Sequence, residues 1–301
     1  MSAENLPLVT VICNCHNHEL YVSEALESVT NQTYTNIELI VVNNGSDDKS
    51  AEIIQNFAKK HPSVIFINLP KSLSMNSVFN LAVKKSSGEF LIDLSGDDRL
   101  LPDCITKQVE FFAKQNENVG LIFGNALIIN EKGELKDFYF SVDNDQKVLD
   151  KNLFETTYKR LLAGGLCMCS ISAMIRRKHF EILNGYDENL FFEDLDYWLR
   201  LSYQYQIAFL DEILVEKREI SSSLGSQFYK KNDFAKKINA SLQIIYKEAM
   251  KRNNKPENKC LLKRIHFSMQ KSFENSNLPD LFKFSVLEMR CRIHLGLKIW
   301  E

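Results

Sequence analysis

Four polar clusters hold residue types able to do chemistry: Asn14-Cys15-His16-Asn17 with Glu19 behind it, Asn43-Asn44-Gly45-Ser46-Asp47-Asp48, Ser95-Gly96-Asp97-Asp98, and Glu193-Asp194. Carboxylates in the last two could hold a hard divalent cation or take a proton from a reacting hydroxyl. Each also has a plain structural reading. Ser, Gly and Asp are favoured in a turn after a strand, and Glu193-Asp194-Leu195-Asp196 suits a helix start, with Asp196 as the cap. Cys13-x-Cys15 and Cys167-x-Cys169, with His16 and His18 nearby, raise a zinc site. Zinc sites more often space their thiols as C-x2-4-C, so buried packing thiols are the better reading. His16-x-His18 would also fit a metal-dependent hydrolase. That chemistry needs further His ligands on later strands, whereas His61 precedes Pro62 at a helix end and His179 lies in a basic segment.

The elements around the clusters must position them. Leu8 to Cys13 is an apolar, β-branched run, followed by a helix from about Tyr21 to Val29 with Ala25, Leu26 and Val29 at helical spacing. The unit repeats as strand Ile37 to Val42, helix Lys49 to Lys60, strand Val64 to Leu69, helix Asn76 to Lys85 and strand Glu89 to Leu94. Unbroken apolar strands between helices predict an α/β fold, Rossmann-like, with a mostly parallel central sheet flanked by helices. Ligands in such sheets bind beyond the carboxyl ends of the strands, where the first three clusters fall. The pattern then predicts a helix to about Lys114, strands Val119 to Phe123 and Leu127 to Ile129, and a turn at Lys132-Gly133. A polar loop over 135–160, a buried strand within 165–175 and a helix from Asp194 to Leu201 follow. Phe234 to Met250, Cys260 to Phe273 and Leu281 to Leu297 read as a C-terminal helical extension, with Pro256 and Pro279 in its breaks.

Composition bounds the function class. The 301 residues are 45% hydrophobic and 25% charged, which excludes a disordered or collagenous chain. With 37 Lys and Arg against 39 Asp and Glu, no dedicated nucleic-acid binder is expected. The charge is unevenly spread: residues 225–301 hold 16 basic and 7 acidic side chains, residues 1–224 hold 21 and 32. The N-terminus lacks a basic leader segment, which predicts a cytoplasmic protein with reduced thiols. The uncharged run Leu161 to Ile175 is shorter than the about 20 apolar residues that cross a bilayer, so no membrane-spanning helix is expected.

Three blocks, LVTVICNCHNHELYVSEALESVTNQTYTNIELIVVNNGSDDKS, SSGEFLIDLSGDDRLLPD and IRRKHFEILNGYDENLFFEDLDYWLRL, resemble in order and spacing the family 2 glycosyltransferases with the A-type nucleotide-sugar fold. The likeness runs from residue 8 to about 215. It implies an inverting transferase that moves a sugar from a nucleotide diphosphate donor to an acceptor hydroxyl, usually with a divalent metal, Mn2+ or Mg2+. Negative charge grows on the leaving diphosphate, and a cation held by carboxylate stabilises it.

By resemblance, Asp97 holds that metal with help from Asp98, and Asp194, matching the family's E-D motif, is the base that deprotonates the acceptor. Glu193 and Trp198 fall on the acceptor side, although Trp198 also suits the core. Donor contacts are expected from Asn14, Cys15, His16, Asn17, Glu19, Asn43, Asn76, Asn80, Ser95, Gly96 and Asp97. Three positions depart from the family pattern. Ser95 stands where D-x-D-D begins, Asn43 where an Asp receives the base's ring N–H, and Phe79 where an Arg precedes Asn80. A uracil base is the first choice, since an Asn carbonyl still accepts. A non-catalytic nucleotide-sugar binder on the same fold is the main alternative.

The expected organisation is a catalytic unit over 1–224, with the nucleotide-sugar half to about 125 and the acceptor half beyond it, then the basic extension 225–301. Lys230, Lys231, Lys236, Lys237, Lys263 and Arg264 could hold the extension on an anionic membrane face, where lipid-linked saccharide acceptors sit, or be an ordinary solvated helix face. A role in bacterial surface polysaccharide or glycolipid assembly follows from the resemblance.

Overall fold

A computed structural model describes residues 6–155, 157–191, 193–220 and 232–297. Strands β1 (Val9–Cys15), β2 (Ile37–Asn44), β3 (Ile65–Leu69) and β4 (Phe90–Ser95) alternate with helices α1 (Val22–Thr30), α2 (Ser50–Lys60) and α3 (Met75–Val83). The four strands are parallel, in the order β3-β2-β1-β4. Every residue of β1 is buried, as a strand covered on both faces requires. α1 buries Val22, Ala25, Leu26 and Val29, a single stripe at helical spacing.

The second half adds β5 (Arg99–Leu100), α4 (Cys104–Phe112), β6 (Val119–Ile129), β7 (Leu135–Phe138), α5 (Tyr158–Ala163), β8 (Met174–Arg176), α6 (Arg177–Ile182), α7 (Glu193–Gln204) and β9 (Gln206–Arg218). The sheet continues β4-β8-β6-β9-β5, with β7 on β6. β8 runs antiparallel to both β4 and β6, while β6 and β9 are parallel.

Several expectations need correction here. β6 is one strand across the expected break at 124–126, because Gly124 lies against Leu214 and Asn125 closes onto Phe140 within the sheet. The stretch 135–160 holds β7, a 3-10 turn at Lys151–Glu155 and the start of α5. The buried strand expected within 165–175 is confined to its end, at β8. Cys167, Met168, Cys169, Met174 and Ile175 are buried as expected, but Leu166 is exposed, Gly164 and Gly165 take positive φ, and a 3-10 turn occupies Ser170–Ser172. β9 is long and was not anticipated.

Helices α8 (Asp233–Arg252), α9 (Lys255–Glu274) and α10 (Leu278–Leu295) form the extension. α9 starts with a capping box between Asn254 and Glu257, and α10 ends at Gly296 in the left-handed region. Ile245, Tyr246, Leu261, Ile265 and Phe284 join the same continuous core as the sheet. Asn253 Oδ1 accepts from Tyr158 Oη at 2.6 Å, and Arg264 donates to Leu161 O at 3.0 Å. Among the described residues no helix is long and apolar enough to cross a membrane.

Candidate active site

The carboxyl ends of β1, β2 and β4 lie side by side, with Cys15 opposite Asn43 and Asn14 opposite Ser95. Asn14 and Asn43 are buried at this edge. Asn43 Nδ2 donates to Asn68 Oδ1 at 2.7 Å, and Asn14 Nδ2 points at Met75 Sδ at 2.9 Å. The amide oxygens of both lack a partner in the buried edge. An unmatched buried acceptor is costly, so both oxygens suit an incoming N–H or O–H donor.

Beyond the strand ends, the first two loops lock together. Asn17, in the left-handed region, accepts the Asp47 N–H at 2.8 Å, and Glu19 accepts the Lys49 N–H at 2.9 Å. His16 is exposed, with Nδ1 2.9 Å from Asn44 O. Cys15 instead faces inward, and burial pushes its thiol up to about 11. Cys13, Cys15, Cys167 and Cys169 are all buried free thiols.

Ser95 donates to Asp97 Oδ1 across the turn after β4. Gly96 allows this turn to approach the first loop, because a Cβ there would lie 3.0 Å from His18 Nδ1. Asp98, expected as a second metal ligand, is used otherwise. Its Oδ1 accepts the Arg218 N–H at 2.8 Å, and burial, with the charge of Asp97, pushes its carboxyl up to about 8. Arg218 clamps the whole turn: Nε donates to Asp97 O at 3.1 Å, Nη1 to Asn130 and Glu131 carbonyls, and Nη2 to Glu24 at 2.7 Å.

Among the described residues no three His, Cys, Asp or Glu side chains are grouped to hold a metal by themselves. The donor set fits the other mode, in which Mg2+ or Mn2+ takes one or two protein carboxylates and completes its shell from substrate phosphates and water. Asp97 would supply the carboxylate. His18 Nδ1, buried without a hydrogen-bond partner, lies 3.9 Å from Asp97 Oδ1, and burial lowers its pKa so that a neutral imidazole faces the turn.

Asp194 stands in the first turn of α7. Asp196 does not cap this helix; it accepts from Arg200 at 2.7 Å. The Glu193 side chain lies outside the described residues. Asp93 of β4, two residues before Ser95, shares a strand face with it and senses Asp194: burial first, then the charge of Asp194, pushes its carboxyl up to about 7.

Asn76 and Asn80, expected at the donor, use their amides elsewhere. Asn76 donates to Asp187 O at 2.6 Å and Leu190 O at 3.1 Å. Asn80 donates to Tyr186 O at 2.8 Å and Glu188 at 3.0 Å, and accepts the Tyr186 N–H. They anchor the segment leading into α7. Phe79, where the family pattern has Arg, is core, packed on Phe180 and Tyr186.

A cavity of about 790 Å³ opens beside Asp194, between α7 and the helices of the extension, with Trp198 and Lys217 in its wall. Sequence reasoning missed Asp93, Lys217 and Arg218. Asp93 had a signal, being i−2 from a motif position on the same strand face; Lys217 and Arg218 had none, since β9 itself was unrecognised.

Residues 10–183 match the family described as glycosyl transferase family 2. An uncharacterised glycosyltransferase of Methanocaldococcus jannaschii is 30% identical over 70% of this chain and 71% of its own length. One from Rickettsia felis is 32% identical over 73% of this chain but only 35% of its own, so the chain spans about a third of that relative. Among solved structures, S. aureus TarS in complex with UDP-GlcNAc superposes with a TM-score of 0.69 at 15% identity, covering 96% of this chain and 84% of that one. The mannosyltransferase PcManGT of Pyrobaculum calidifontis, in complex with GDP-Man and Mn2+, gives 0.62 at 15% identity, covering 98% and 77%. With its A-type fold and these matches, the chain belongs to glycosyl transferase family 2.

Proposed function

We propose that the chain is an inverting hexosyltransferase that moves a sugar from a nucleoside diphosphate donor, UDP first among the bases, to a saccharide acceptor hydroxyl in surface polysaccharide or glycolipid assembly. The observation that carries this reading is the meeting of Asp194 with the floor of β4: the base candidate opens on the cavity while its charge reaches Asp93, two residues from the Ser95–Asp97 turn. Asp194 takes the acceptor proton as the new C–O bond forms on the face opposite the diphosphate, whose bond to the sugar breaks. A divalent cation, when bound at Asp97, supplies charge for the leaving diphosphate. Ser95 orients the Asp97 carboxylate, and Arg218 fixes the backbone that carries it. Asn43 and Asn14 offer carbonyl oxygens to the donor, His16 a ring face to the base, and Asn17 and Glu19 hold that loop in place.

Support for a peripheral position at the cytoplasmic membrane face comes from α10, which exposes Leu278, Phe282, Met289 and Ile293 along one side. Lys230 and Lys231 lie outside the described residues; Lys236 and Lys237 stand exposed on α8, while Lys263 and Arg264 line the cavity beside Asp194 instead. Flotation with anionic vesicles tests it: binding that persists after Phe282→Asp and Ile293→Asp would count against this stripe.

The transferase reading is tested by thermal unfolding with UDP, GDP, dTDP and CMP, each with and without Mn2+, followed by turnover of the matching sugar donors. A metal-dependent rise with one diphosphate and product formation support it. Nucleotide binding without turnover on any donor would favour the binder instead.

A further inference from the structure

The cavity beside Asp194 differs in charge from the body around it. α9 turns Lys263, Arg264, Phe267 and Lys271 into it, spaced as one helix face, and β9 adds Lys217. Among the described residues that line it, Asp194 is the one carboxylate. Residues 1–224 carry 32 acidic against 21 basic side chains, so four cations converge here on a body of opposite sign. Clefts lined by one sign of charge gather ligands of the other.

The cations are incompletely matched. Lys271 pairs with Glu274 at 2.8 Å, and one Arg264 nitrogen donates to Leu161 O at 3.0 Å. Arg264 Nε is buried without a hydrogen-bond partner. Among the described residues, no hydrogen bond or ion pair engages the ammonium groups of Lys217 or Lys263. Phe267 and Trp198 add aromatic surface to the same space, with Lys271 Nζ 5.8 Å from the Phe267 ring centroid. About 790 Å³ is room for one or two sugar residues and an anionic group.

We infer that this cavity is the acceptor subsite and that it takes a phosphate-bearing acceptor, with the phosphate held by Lys217 and the basic face of α9 and the acceptor hydroxyl delivered to Asp194. The extension is then a wall of the substrate site. This rests on Asp194 being the acceptor-side base.

The test uses the full chain with its nucleotide site first saturated by the diphosphate that stabilises it, and titrates glucose 6-phosphate against glucose. Glucose 6-phosphate should bind and raise the melting temperature further, and glucose should not. Lys263→Gln with Lys271→Gln, both at accessible positions, should weaken that binding by about tenfold, as expected for lost charge-assisted contacts. Farnesyl diphosphate as competitor separates the sources: displacement assigns the phosphate to a lipid carrier, and failure to displace assigns it to a phosphorylated glycan. Equal responses to glucose and glucose 6-phosphate, or a phosphate response unchanged in the double variant, would overturn the inference. Absence of any nucleotide response counts against the transferase reading; the glucose 6-phosphate and glucose titrations are then run on the nucleotide-free chain, where equal responses still overturn the phosphate site.

Discussion

The carboxyl of Asp93 on β4 lies within electrostatic reach of Asp194 at the head of α7, joining the floor of the sheet to the first turn of a helix about 100 residues later in the chain. Burial first, and then that neighbouring charge, disfavour the Asp93 anion, so Asp93 holds its proton to about pH 7.

The sign of the resulting pH dependence follows. The folded-state value of about 7 lies above the ordinary 3.8, so the folded chain keeps a proton that the unfolded chain has released. Its contribution is fully present below about pH 4 and is lost as the pH rises to about 7. Asp93→Asn stays neutral throughout and should flatten that loss, gaining on the order of 2 kcal/mol over the wild type near pH 8. Thermal unfolding across this range checks it; parallel curves for the two chains would reject the Asp93 assignment.

Asp194→Asn removes the base and keeps the shape. Turnover should fall by about 10² to 10⁴ while nucleotide affinity changes little. Single-turnover kinetics beside calorimetric binding separate the two, and a variant that retains activity would place the base elsewhere.

Restoring the family's arginine at position 79 should harm this chain. Phe79 is 2% exposed among Phe180 and Tyr186, so Phe79→Arg buries an unpaired cation and should cost about 3 kcal/mol or more. Urea unfolding reads it directly. A gain in nucleotide affinity without loss of stability would contradict the packing described.

Asn80→Ala cuts three hydrogen bonds to Tyr186 and Glu188. Stability should drop by about 1–3 kcal/mol. Turnover should drop with it and diphosphate affinity should not, because the segment from Tyr186 carries α7 and Asp194 while the nucleotide edge is built by other strands. A rise in the diphosphate Kd as large as the loss in turnover would return Asn80 to the donor site.

Arg218→Lys keeps the charge and loses the fork that reaches Asp97, Asn130, Glu131 and Glu24 together. The Mn2+-dependent rise in melting temperature with the diphosphate should shrink, since the turn that presents Asp97 loosens. Calorimetry with and without the metal checks it.

The first half of the fold was legible because its information is local. The run from Val9 to Cys15 and the stripe Val22, Ala25, Leu26 and Val29 each declare strand or helix within one element, and alternation of the two dictates a parallel sheet whose carboxyl edge holds the polar clusters. The capped helices of the extension declared themselves in the same way. What the tertiary structure decided is which edges meet. Strand pairing brings Arg218 of β9 onto Asp98, packing sends Phe79 into the core where the family pattern has a cation, and α9 closes a basic wall opposite Asp194. None of these has a period to read, because each depends on sheet order and helix docking between residues far apart along the chain.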